Sequence, residues 1–92
     1  MTTDRSLDDA RKRLRFRAWH RGTREADLIF GSFVDKHAAG LSQAEIDWFE
    51  ELFEAPEQDA LNWVFSRETP PARFDTPLMG RLRKLDFVSE KP

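Results

Sequence analysis

"RGTREADLIFGSFVDKH", Arg21 to His37, decides the fold. Ala26, Ile29, Phe30, Phe33, Val34 and His37 recur at intervals of three and four residues. That is the period of a helix buried along one face. Thr23 stands where its hydroxyl can accept from a backbone N–H of the first turn, and Glu25 and Asp27 fall where the helix dipole favours acids. Gly22, just ahead, predicts the end of a preceding helix, because a left-handed C-terminal position costs glycine no steric penalty. Gly31 predicts a place where another backbone approaches closely, and Gly40 ends the element. No other stretch of the chain is as apolar, so this helix is expected at the centre of the core.

Helical periodicity continues on both sides. Upstream, Ser6 can cap a first helix with Asp8 and Asp9 in its first turn, and Leu7, Ala10, Leu14 and Ala18 make its buried stripe. Phe16 and Trp19 project from a neighbouring face. Downstream, Ser42 followed by Glu45 reads as a capping box, opening a third helix with Ile46, Phe49, Leu52 and Phe53 inward. Pro56 suits the first turn of a fourth helix that carries Leu61, Trp63, Val64 and Phe65, with Trp63 read as core. "ETPPARFDTP", Glu68 to Pro77, breaks regularity through its prolines. Phe74 or Pro77 then leads into a last helix with Leu78, Leu82 and Leu85. Short turns between five helices predict an all-α, compact five-helix bundle, one domain over residues 1–92, with residues 1–5 and 88–92 frayed.

With 92 residues and no cysteine, the chain has neither disulfides nor thiolate metal sites to staple a small core. The apolar run from Leu28 to Val34 falls far short of the roughly 20 residues that a membrane span needs. Asp4, Asp8 and Asp9 near the start do not suit a secretory signal or a transit peptide. A cytoplasmic protein without membrane insertion is expected. The net charge of −2 hides an asymmetry. From Arg11 to Arg24 there are seven basic residues and no acid; from His37 to Ser66 there are seven acids and no Lys or Arg.

Little points to catalysis. His20 and His37 match no metal-ligand spacing, no serine sits in a nucleophile elbow, and "RGTRE" has one glycine where a phosphate loop needs several. No catalytic, metal-binding or cofactor-binding residue is therefore assigned. The basic helix with Phe16 and Trp19 interleaved could suit a phosphate backbone. Against that, the helix after Gly22 opens with acids and continues apolar, so it lacks base-reading side chains. The remaining candidate is "RGTRE" itself. Arg21, Arg24 and Glu25 are expected together on an exposed corner, where arginine suits bidentate contacts with a partner protein.

"RGTRE" resembles the Arg-Gly-x-x-Glu signature of the small succinate dehydrogenase flavinylation factors, the SdhE-like assembly proteins once grouped with antitoxins. "RLRF", "EADLIFGSFVDKH", "LSQAE" and "FEELFEAPEQDALNWVF" are similar to that family in order and spacing, from about Arg13 to Asp86. The resemblance implies a five-helix chaperone, not an enzyme, that is a monomer when free. It would bind the flavoprotein subunit of succinate dehydrogenase, and in bacteria often that of fumarate reductase, and promote covalent attachment of FAD there. Such a protein holds no FAD stably itself, and works in the bacterial cytoplasm or, in eukaryotes, the mitochondrial matrix. Carried over by position, the implied flavoprotein contact comprises Arg21, Gly22, Glu25 and the acid Asp27, with Arg24 beside them. The alternative is a small basic-helix nucleic-acid-binding or antitoxin-like regulatory protein.

Overall fold

The computed structural model describes residues 2–87, with side chains from Ser6 onward. Its five α-helices are α1 (Thr2–Ala18), α2 (Arg24–His37), α3 (Gln43–Leu52), α4 (Glu57–Val64) and α5 (Pro77–Lys84). Two 3₁₀ turns, Ala38–Gly40 and Ala72–Phe74, tighten the connections after α2 and before α5. The described residues contain no strand. A radius of gyration of 12.9 Å is close to the roughly 12 Å of one globular domain of this length.

The apolar stripes become the core as expected. Leu14, Ala18, Phe30, Phe33, Ile46, Phe49, Leu52 and Val64 are buried, and Leu7 packs on them at the edge. Aromatic rings interlock across elements: Phe33 of α2 meets Phe49 of α3 at 5.4 Å between centroids, and Phe30 meets Phe53 edge-on at 5.5 Å. Trp63 is buried and stacks on Phe74 at 5.6 Å, so the tryptophan of "DALNW" is core. Phe87, which the periodicity did not single out, closes the bundle edge-on against Phe33 at 5.0 Å.

The helix ends follow their caps in part. Thr23 Oγ1 accepts from the Ala26 N–H at 3.2 Å, and Ser42 with Glu45 forms the full capping box. Pro56 is the N-cap of α4 rather than a residue of its first turn, and Pro77 opens α5. The start of α1 differs from the sequence reading. Its backbone is helical from Thr2, so Ser6 lies inside the helix instead of capping it. No proline or glycine before Gly22 interrupts the chain there, and a serine alone does not stop a helix. Residues 2–5, expected to fray, have helical backbone as part of α1, and the expected fraying of residues 1 and 88–92 falls outside the described residues.

The joint between α1 and α2 differs more. The first helix ends at Ala18, four residues before Gly22, so Gly22 is not its C-terminal cap. Trp19 to Thr23 form a separate bend. Trp19 leaves the end of α1 and lays its ring on Gly31 of α2, where a Cβ would stand 2.2 Å from the ring carbon Cδ2. Gly31 therefore admits a side chain and not, as the sequence suggested, a second backbone. Trp19 Nε1 donates to Asp35 Oδ2 at 3.1 Å, and Arg15 Nε donates to Asp35 Oδ1 at 3.2 Å. These contacts fix the angle at which α1 hands the chain to α2.

Candidate functional site

The five residues of the expected contact all lie in this bend or the first turn of α2, but they do not face one way. Thr23 sets the start of the helix, which leaves Arg24 and Glu25 as its first two residues with exposed side chains. Asp27, one turn along, is half-buried, and its Oδ1 accepts from the backbone N–H of Arg21 at 2.6 Å. Asp27 thus ties the bend to the helix, a role the sequence alone did not suggest.

Gly22 has φ of +125°, a conformation that side-chain-bearing residues rarely adopt. A Cβ there would also stand 3.1 Å from Oε1 of Glu57, the first residue of α4. The glycine thus answers both the turn and a close neighbour.

Arg21 departs furthest from expectation. It is half-buried rather than exposed, turned back toward the molecule with its guanidinium over the Phe53 ring at 4.6 Å from the centroid. Its Nε is buried with no hydrogen-bond partner. Burial is the largest influence on the group and lowers its pKa; Glu57 is the strongest charge opposing that, ahead of Glu54 and Asp27, while Arg17 adds to the lowering. The guanidinium stays charged, stacked on an aromatic face within a field of carboxylates.

Between the end of α1 and the start of α2 lies an open groove of about 650 Å³. Gly22, Arg24 and Asp27 border it, and Trp19, His20 and Leu28 give it a mainly apolar floor. Phe16 stands nearby, 65% exposed, with the His20 ring stacked on it at 4.0 Å. An apolar floor bordered by an exposed arginine and by the carboxylate of Asp27 is the composition of a protein-binding surface. Trp19, which the sequence placed among the exposed aromatics, contributes one half-buried wall of it. Phe53 and Glu57 complete the underside of the bend. Phe53 was read only as core and Glu57 only as one of the seven acids between His37 and Ser66, because nothing local ties either one to a glycine so far upstream.

The basic face of α1 is largely engaged inside the molecule. Arg17 pairs with Glu50 and, at 3.2 Å, with Glu54; Arg15 pairs with Asp35; Arg11 donates to the Leu41 carbonyl at 2.9 Å. Among the described residues, Lys12, Arg13 and Arg24 are the exposed cations at this end of the chain that make no ion pair. Among the described residues no group of three or more His, Asp or Glu is placed to hold a metal ion, and no helix is long and apolar enough to cross a membrane.

The chain is 38% identical over 77 residues to the FAD assembly factor SdhE of Acetobacter pasteurianus, covering 84% of this chain and 71% of that one. It is 34% identical over 75 residues to the protein of the same name from Ralstonia nicotianae, covering 82% and 78%. Over 85 residues it is 34% identical to the mitochondrial succinate dehydrogenase assembly factor 2 of Cryptococcus neoformans, covering 88% of this chain. The chain spans about half the length of several such mitochondrial relatives. The family described as flavinator of succinate dehydrogenase matches residues 12–86, from the basic helix through α5, and the chain belongs to that family.

Proposed function

We propose that this protein is an assembly factor that binds the flavoprotein subunit of succinate dehydrogenase and promotes the covalent attachment of FAD to it. The family match along residues 12–86 carries this reading. The groove between α1 and α2, bordered by Arg24, together with the exposed Glu25 next to that arginine in the chain, is the surface we assign to the contact. Arg24 offers a charge-assisted donor and Glu25 an acceptor, and the apolar floor supplies buried area between them. The bond-forming chemistry belongs to the flavin and the flavoprotein. This chain contributes binding energy that holds the flavoprotein in a geometry where its own reacting groups meet, lowering the barrier through orientation. In this reading it is not an enzyme and holds no FAD of its own.

Arg24 and Glu25 are the cleanest probes, because both are exposed and neither supports the core. Replacing Glu25 by Ala removes a first-turn charge worth about 0.3–1 kcal/mol to the helix, so the melting temperature should barely move. Covalent flavin on the co-expressed flavoprotein, read as fluorescence that survives denaturation, should fall about tenfold, as for an interface residue of central weight. Arg24→Ala should behave alike. Repeating the assay with the flavoprotein of fumarate reductase tells whether one surface serves both. Normal attachment with both substitutions in place would reduce this corner to ordinary helix-terminal residues.

A further inference from the structure

Glu57 reaches the bend from the opposite side of the fold. It is the first residue of α4, follows Pro56, and is half-buried. Its Oε1 occupies the space beside Gly22 that any side chain at position 22 would enter, 3.1 Å from where a Cβ would lie. The neighbouring guanidinium of Arg21 lies on Phe53, from the C-terminus of α3, and one of its donors is buried without an acceptor. A donor left so is costly, and the arrangement persists where its surroundings favour the charge. Among the surrounding charges, Glu57 is the one that most favours charged Arg21; Arg17, the competing cation, is itself paired with Glu50 and Glu54.

We infer that Glu57 is a positioning residue for the partner-binding corner: its carboxylate fills the space kept open by Gly22 while Phe53 backs the Arg21 guanidinium, so that the α3–α4 connection sets the shape of the bend. Resting on the contact surface assigned above, this gives Gly22 an intramolecular purpose. A larger residue there would displace Glu57 before it met any partner. The signature of the bend would then extend to a fourth member that lies far from it in sequence.

Glu57→Gln tests the inference, since it preserves size and removes charge. On the isolated protein, the Nε–H resonance of Arg21 should shift and lose protection from solvent exchange, while the backbone amide spectrum of α1 and α5 stays in place. A role confined to capping α4 would leave that resonance unmoved, and an unmoved resonance overturns the inference. With the flavoprotein, half-saturation of covalent flavin formation should need about fivefold to tenfold more of this chain, with the limiting rate unchanged, as expected when a binding group is held less well. Glu57→Asp, which restores the charge at shorter reach, should recover part of that loss. If Glu57→Gln shifts half-saturation no further than a distant control such as Glu68→Gln, while Glu25→Ala still lowers attachment, the positioning role fails and the contact surface stands. If Arg24→Ala and Glu25→Ala are silent but the Arg21 resonance still responds to Glu57→Gln, the positioning stands and the contact surface fails.

Discussion

Trp19 rests on the bare Cα of Gly31, and what that contact is worth can be measured. In Gly31→Ala the added methyl would lie 2.2, 2.4 and 2.6 Å from three ring atoms. The indole must move and surrender its hydrogen bond to Asp35, so the variant should lose about 1–3 kcal/mol in urea unfolding. Gly80 provides the contrast: it is exposed in the middle of α5, and nothing lies within 4 Å of an added Cβ. Gly80→Ala should therefore gain about 0.5–1 kcal/mol, the ordinary advantage of alanine inside a helix. His37 makes a different prediction. Its Nδ1 receives Arg81 Nη2 at 3.2 Å, an arrangement that requires the neutral ring. Burial lowers its pKa below the ordinary 6.5, Arg81 and Lys36 lower it further, and only Asp86 opposes them. Below pH 6.5 the unfolded chain then binds more protons at this site than the folded one, so stability rises with pH across that window and is lost on acidification. His37→Gln should flatten that part of the stability–pH curve, leaving the carboxylate-driven fall at lower pH.

At the scale of elements, what could be read from sequence was whatever neighbouring residues decide among themselves. Ser42 and Glu45 are three apart, and their reciprocal hydrogen bonds of 3.2 and 2.8 Å form within one turn. Ser42→Ala should accordingly cost α3 about 1 kcal/mol in thermal or urea unfolding. Thr23 and the stripe from Ala26 to Val34 were legible for the same reason. The candidate contact was legible as a set of residues, while their orientations were not. Arg21 lies over the Phe53 ring and Glu57 reaches Gly22, and both arrive only when α3 and α4 pack beneath the bend. Gly22 was read as the terminator of a helix that in fact ends at Ala18, because periodicity does not reveal that Trp19 leaves the helix to cover Gly31. Phe87 lies beyond the last helical repeat, and only its meeting with Phe33 marks it as core. Each of these misses is a contact between residues distant in sequence.

Over the whole molecule, the charge asymmetry of the sequence largely closes on itself. The basic helix lies against the acidic one, with Arg17 held between Glu50 and Glu54 and Arg15 on Asp35. A phosphate backbone would have to compete with those carboxylates for its contacts, so duplex and single-stranded nucleic acid should show no measurable binding at physiological salt. The same pairing predicts how stability responds to ions. Exposed pairs are worth little, but Arg17 and Glu50 are each largely covered, at 35% and 26% side-chain exposure, and Arg17 is shared by two acids. Screening at 1 M salt shortens the reach of charge to about 3 Å, so unfolding in uncharged urea should show this contribution shrink, by about 0.5–1 kcal/mol. Salt also strengthens apolar burial, which acts in the opposite sense and acts on every variant alike. The informative quantity is therefore the difference between the protein and Arg17→Gln, measured at low and at high salt. That difference should be largest at low salt and narrow as salt rises. A difference independent of salt would mean that Arg17 holds α1 to α3 by packing of its aliphatic stem rather than by charge.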